Sequence, residues 1–229
     1  MHERLRESVC RANLELVSQG LVVLTWGNVS GIDRDAGVIA IKPSGVDYDE
    51  LTPEEIVLLD LRGNILEGDL KPSSDTPTHL ELYRSFEKIG GIVHTHSTYA
   101  TMWAQAQREI PCFGTTHADS FFGSVPVTDA LTAEEIRSDY EANTGKVIVR
   151  RFANTDPSAV PSVLVANHGP FVWGNDAAGA VENAIVLEQI AHMALGTIRI
   201  NPQQGAISRA LLDKHFLRKH GDNAYYGQS

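Results

Sequence analysis

The chain has 229 residues, 42% of them hydrophobic and 21% charged, enough apolar content to close one sizeable core in one domain. Nineteen Lys and Arg stand against 29 Asp and Glu, a formal net charge of -10, so no basic field exists to hold nucleic acid or an anionic membrane, and both are excluded as partners. The apolar runs, such as residues 184–187, fall far short of the roughly 20 residues that a bilayer span needs. The opening Met1-His2-Glu3-Arg4 lacks the apolar segment and cleavage site of a signal peptide, so a soluble, cytoplasmic protein is expected. Cys10 and Cys112 form no Cys-x-x-Cys pair and read as buried small side chains in a reducing compartment.

Leu5, Val9, Ala12 and Leu16 recur at helical spacing and Gly20 follows them, which predicts an amphipathic helix over residues 3–19. Short β-rich runs come next, at 21–25, 28–33, 38–42, 56–61 and 64–67, separated by Gly-Asn and Ser-Gly turn signals. Runs this short and close together predict an antiparallel sheet. Thr52-Pro53-Glu54-Glu55 and Thr132-Ala133-Glu134-Glu135 each place Glu three residues after Thr, the capping-box pattern, and the second predicts a helix to about residue 143. Residues 78–88 predict a helix with Leu82 and Phe86 on one face. Residues 91–95 and 162–167 are apolar, β-branched strands that each run into a histidine, and helices over 176–195 and 207–218 close the chain. The expected fold class is α/β, a single domain with a central, largely antiparallel sheet flanked by helices.

His94-Thr95-His96 ends an apolar strand, where residues i and i+2 face the same way, so one ion could take both imidazoles. His168, in Asn167-His168-Gly169-Pro170, ends another strand beside a rigid turn. Three histidines from two strand ends are the ligand count of a catalytic zinc with an open position; the alternative is three unrelated strand-end histidines. Asp75, in Pro72-Ser73-Ser74-Asp75-Thr76-Pro77, is placed either to cap the following helix or to give a carboxylate to the metal. Gly27-Asn28, Lys42-Pro43-Ser44-Gly45 and Ser73-Ser74 are either plain turns or a phosphate cradle of N–H groups and hydroxyls, with Lys42 adding charge. Asp119 and His117, in Gly114-Thr115-Thr116-His117-Ala118-Asp119, offer groups for proton transfer, or only a loop. Lys214-His215 and Arg218-Lys219-His220 form a dense basic patch, by itself a solvated helix face, before the terminal Tyr225-Tyr226-Gly227-Gln228. There is no Gly-x-Gly-x-x-Gly, Walker or Gly-x-Ser-x-Gly pattern, which lowers hydride transfer, phosphoryl transfer and acyl-serine chemistry.

Taken together, Thr25-Trp26-Gly27-Asn28-Val29-Ser30, Ile41-Lys42-Pro43-Ser44-Gly45, Pro72-Ser73-Ser74-Asp75-Thr76, Gly91-Ile92-Val93-His94-Thr95-His96, the Thr115–Asp119 run, His168-Gly169-Pro170 and the Tyr-Tyr-Gly-Gln tail resemble the class II aldolase and adducin-head family nearly end to end. The Thr-Thr-His-Ala-Asp run and the tail resemble its L-ribulose-5-phosphate 4-epimerase branch. That resemblance implies an isomerase with one Zn2+ per subunit, interconverting L-ribulose 5-phosphate and D-xylulose 5-phosphate in arabinose or ascorbate breakdown. It also implies an α/β/α fold, a homotetramer, and a tail over about 207–229 that completes a neighbouring subunit's site. Carried over by position, the metal ligands are His94, His96 and His168, with Asp75 as a further ligand or neighbour. The phosphate falls to Gly27, Asn28, Ser44, Gly45, Ser73 and Ser74 with Lys42. Asp119 and Tyr226 are the acid/bases, the latter from the neighbouring subunit, and His215 and Arg218 join from the same tail. The rivals are a class II aldolase acting on a phosphorylated sugar and a non-catalytic, adducin-like interaction domain.

Overall fold

The structure, a computed structural model, describes residues 2–221, Ala224 and Tyr225. Seven strands form one sheet in the order β4 (Ile65–Glu67), β3 (Val57–Asp60), β2 (Val38–Ile41), β1 (Asn28–Asp33), β5 (Gly91–His94), β7 (Pro170–Gly174) and β6 (Ser162–Leu164), every neighbouring pair antiparallel. The α/β architecture expected from the short, closely spaced runs is the one found. Asn28 lies opposite His94 and His94 opposite Phe171, so the adjacent strands β1, β5 and β7 bring these residues into one row.

Successive residues of β1 point to opposite faces, and both faces are covered. On one side, Gly31 sits under α1 (Glu3–Ser18) and α7 (Ala177–Ile200), where an added Cβ would come within 2.9 Å of Val9. On the other, Ser30 Oγ shares hydrogen bonds of 2.7 Å with His79 Nδ1 and 2.8 Å with Tyr83 Oη, both from α2 (Thr76–Ser85). Double burial explains why β2 and β5 are buried at every position instead of alternating with polar residues. The buried Asn13 of α1 accepts from Val29 N–H at 2.8 Å and donates to Val29 O at 3.1 Å, pairing a helix side chain with the central strand. α7 starts almost in contact with the sheet: a Cβ on Gly91 would lie 2.3 Å from Asp176 O, and one on Gly174 2.4 Å from Ala180 N. α6 (Tyr140–Arg151) closes on α2 through Gly145, whose Cβ would be 2.6 Å from that of Glu81, and through Thr78 Oγ1, which donates to Glu141 O at 2.6 Å.

Several local expectations are corrected. Residues 21–25 form no strand; Val23 and Leu24 are exposed, Leu24 has φ +53°, and apolar content without a partner strand makes only an irregular loop. The helix opened by the Thr132 capping box stops early, as α5 (Ala133–Arg137), and the chain restarts as α6 at Tyr140. Ser138 Oγ bonds back to Glu134 O, and Asn143 Nδ2 donates to Glu135 O and Ser138 Oγ, so polar side chains satisfy the break. The Thr52 box closes only a 3-10 turn, Pro53–Glu55. The run 162–167 leaves the sheet after Leu164, and residues 165–169 make the turn of the β6–β7 hairpin. Cys10 and Cys112 are free and buried, and among the described residues no helix is long and apolar enough to cross a membrane.

Candidate metal centre and cleft

His94 is the last residue of β5, His96 lies two further on, and His168 sits in the β6–β7 turn. Their ligand atoms all lie within 4.8 Å of one another. The rings meet edge to face, with centroids 4.8 Å (His94–His168), 5.0 Å (His94–His96) and 5.1 Å (His96–His168) apart. Two glycines permit this convergence. Gly27 has φ +100°, and a Cβ there would lie 2.8 Å from His94 O; one on Gly169 would lie 2.8 Å from Thr95 O. Nδ1 of His94 is 2.9 Å from Pro170 O, and because a carbonyl only accepts, that nitrogen carries the proton and Nε2 is left as a lone-pair donor. The His94 ring is stacked on Phe171 at 4.2 Å. Burial, then the fields of His94 and His96, push His168 down to about 4, and burial followed by His94 lowers His96. Neutral imidazoles converging on one point, with a cleft in front of them, fit a divalent cation with an open coordination position.

That cleft, about 620 Å³, gathers the turns expected to cradle phosphate: Gly27, Asn28, Lys42, Ser44, Gly45, Ser73 and Ser74 line it together with Asp75 and the three histidines. The 42–45 and 71–74 loops are stitched by Ser44 N–H to Lys71 O (2.9 Å) and Ser73 N–H to Lys42 O (3.0 Å). Lys42 is buried, its ammonium turned to the carbonyls of Val46 and Pro43 and set 4.7 Å above the Tyr48 ring. Burial lowers its pKa against the fields of Asp47 and Glu55. Asp75 begins α2 yet makes no side-chain cap; its carboxylate accepts from Asn28 Nδ2 at 2.8 Å, and the same amide donates to Ser73 Oγ at 3.0 Å. Burial raises the Asp75 pKa, but the imidazoles of His94 and His79 and the Asn28 bond outweigh it and hold the carboxyl below its ordinary value.

Asp119, His215 and Arg218 meet elsewhere and do not line this cleft. Asp119 ends the turn α4 (Thr115–Ala118) and faces α8 (Arg209–His220): His215 Nδ1 is 2.9 Å from its Oδ1, and Arg218 donates to both carboxylate oxygens at 2.9 Å. Lys219 lies 3.8 Å away. Burial raises the Asp119 pKa, but the bonds from Arg218 and His215 and the charge of Lys219 win, and it is lowered overall. Tyr226 lies outside the described residues. Two residues not singled out from sequence also line the cleft, Tyr140 and Glu141. They are hidden in the sequence because the capping box predicts one helix running through them; the Ser138-Asp139 pair, a second helix-start signal, marks the break. Glu188 of α7 likewise carries no local sequence signal. Its carboxylate accepts from Tyr99 N–H (2.8 Å) and Ala100 N–H (3.0 Å), capping α3 (Thr98–Gln105) just after His96.

Comparison with known proteins gives the geometry a family. The chain matches an L-fuculose 1-phosphate aldolase at 25% identity with a TM-score of 0.79, covering 93% of this chain and 94% of that one. It matches YgbL from Klebsiella pneumoniae, a putative aldolase/epimerase/decarboxylase, at 27% identity and a TM-score of 0.74, covering 93% and 99%. At 22% identity and a TM-score of 0.66, the fold is also that of an L-fuculose-1-phosphate aldolase from Thermus thermophilus, over 89% of this chain and 99% of that one. Residues 7–195, which carry every strand and all three converging histidines, match the Class II Aldolase and Adducin N-terminal domain, and the chain belongs to that family.

Proposed function

We propose that the chain is an L-ribulose-5-phosphate 4-epimerase with one Zn2+ per subunit, working as a homotetramer whose sites combine residues of two subunits. The observation that carries the reading is the tie between Asp119 and α8. The family match ends at residue 195, yet α8, beyond it, brings His215 and Arg218 onto the one carboxylate of the Thr-Thr-His-Ala-Asp run. One of the two features that resemble the epimerase branch, the Thr-Thr-His-Ala-Asp run, is therefore tied to the helix that leads into the other, the terminal tail. A plain aldolase reading leaves that tie without a task.

Carbon 4 of a 2-ketopentose is not adjacent to the carbonyl, so its proton is not acidic and simple deprotonation cannot invert it. Breaking the C3–C4 bond can. The hydroxyl at C4 loses its proton and becomes the carbonyl of glycolaldehyde phosphate, while the bonding pair stays on C3 and makes the enediolate of dihydroxyacetone. After the aldehyde turns over, the same pair attacks its other face and the new C4 oxygen regains a proton. A divalent cation held by His94, His96 and His168, with Asp75 beside them, would supply the Lewis acidity that stabilises the enediolate. Gly27, Asn28, Ser44, Gly45, Ser73 and Ser74 hold the phosphate, Ser44 and Ser73 through their hydroxyls because their N–H groups are taken by Lys71 O and Lys42 O, so the aldehyde rotates without leaving. Asp119, kept ionised by Arg218, takes the C4 hydroxyl proton in one configuration, with His215 against its Oδ1, and Tyr226 serves the other. Since Asp119 does not line its own chain's cleft, the Asp119–His215–Arg218 group acts on the histidines of a neighbouring subunit, with Tyr226 of the tail as the second acid/base.

The test is product analysis with L-ribulose 5-phosphate. D-xylulose 5-phosphate as the sole product supports the reading. Free glycolaldehyde phosphate with dihydroxyacetone assigns the aldolase alternative, and a folded, metal-free, inert protein assigns the adducin-like one.

A further inference from the structure

We propose that Tyr140 is a positioning residue of the metal centre, holding the His168 ring so that Nε2 faces the cation. The inference rests on the metal reading above. Tyr140 Oη lies 3.3 Å from His168 Nδ1, with the two rings 6.1 Å apart and tilted by 31°, and the phenol lines the same cleft. An imidazole that gives Nε2 to a cation must carry its proton on Nδ1, and that N–H needs an acceptor. His94 has one in Pro170 O. His168 lies in a tight turn, and among the described residues the acceptor that reaches its Nδ1 is the phenol oxygen.

The placement of that oxygen is firm. Tyr140 opens α6, a helix held to α2 by the Gly145 approach and the Thr78–Glu141 bond, and α2 itself follows directly on Asp75. One rigid helix pair therefore sets both the carboxylate beside the histidines and the acceptor behind His168. A hairpin turn left to itself could swing its imidazole; tying it to a helix on the far side of the cleft removes that freedom before the cation arrives.

Cobalt(II) titration of the metal-free protein, followed by visible absorption, tests the role. Tyr140→Phe keeps the ring and removes the acceptor, so it is expected to weaken Co2+ binding by about tenfold to a hundredfold while leaving the melting temperature of the metal-free protein unchanged. An unchanged affinity and band shape in Tyr140→Phe overturns the proposal while leaving the metal centre intact. Failure of the wild type to bind Co2+ overturns the metal reading and this inference with it. Should Tyr140→Phe fail to fold, the wild type still decides. Its cobalt-loaded proton spectrum should show two slowly exchanging, hyperfine-shifted imidazole N–H resonances, from His94 and His168; a single one, from His94, rejects the role of Tyr140.

Discussion

Asp75 illustrates how one residue's partners decide its task. A carboxylate at the start of a helix is by default a cap, but here α2 receives no side-chain bond from it, and the acid instead takes the Asn28 amide inside the cleft. Asp75→Asn is therefore expected to leave the melting temperature of the metal-free protein within a degree or two and to lower bound metal measurably, read by metal analysis after dialysis. A large stability loss with full metal content would return Asp75 to the helix. A second residue, His117, tests burial alone. It is buried, its Nε2 has no hydrogen-bond partner among the described residues, and burial, partly offset by the Gly123 carbonyl, pushes its pKa down to about 4. The unfolded chain binds this proton below about pH 6.5 and the folded chain only near pH 4, so the fold's advantage is full above 6.5 and drains away as pH falls toward 4. Relative to His117→Leu, wild type should lose about 3 kcal/mol between pH 7 and pH 4, measured by urea unfolding of metal-free protein. Parallel acid limbs for the two proteins would contradict it.

At the scale of elements, the centre depends on how strand ends are anchored. β5 ends at His94, and the chain must turn through His96 into α3, whose first N–H groups have no partners within their own helix. Glu188, reaching from α7, takes two of them, and Trp103 Nε1 donates to Ala191 O at 3.0 Å to complete the joint. Glu188→Ala should destabilise the protein by about 1–3 kcal/mol, as buried donors lose their acceptor, and should also weaken metal binding because the His96 segment loosens. Thermal melts with and without zinc check both; lost stability with unaltered metal affinity would limit Glu188 to the core. This joint also marks what sequence can and cannot disclose. His94, His96 and His168 are legible because strand periodicity and a Gly-Pro turn are local, and the sheet's antiparallel character follows from short runs between turn residues. Glu188 stands 89 positions from Tyr99 and sits in an apolar helix with no local signal. Tyr140 was obscured because a strong capping box predicts a start but not a stop. The apolar 21–25 run misleads for a related reason: β-propensity has no force without a neighbouring strand to pair with.

For the whole molecule, the decisive fact is that one chain carries two separate polar clusters, the histidine cleft and the group in which His215 and Arg218 of α8 hold Asp119. If the second group serves the first across a subunit boundary, defects in the two clusters must complement. His96→Asn removes a ligand whose ring has no hydrogen bond among the described residues, so the fold should tolerate it while the cleft loses its cation. Asp119→Asn leaves the cleft and its metal untouched and removes the carboxylate that Arg218 and His215 hold. Each variant alone should fall by about a hundredfold or more in turnover. In a mixed oligomer, a site built from an intact cleft of an Asp119→Asn chain and an intact Asp119 of a His96→Asn chain is complete, and random exchange of equal amounts makes about a quarter of all sites so. Activity should therefore climb toward about a quarter of wild type after subunit exchange, and the doubly substituted chain mixed with wild type should give no gain beyond dilution. A mixture that exchanges subunits, shown by mass-tagged chains, and stays as inactive as its parents would place the Asp119 cluster in service of its own chain or outside the reaction.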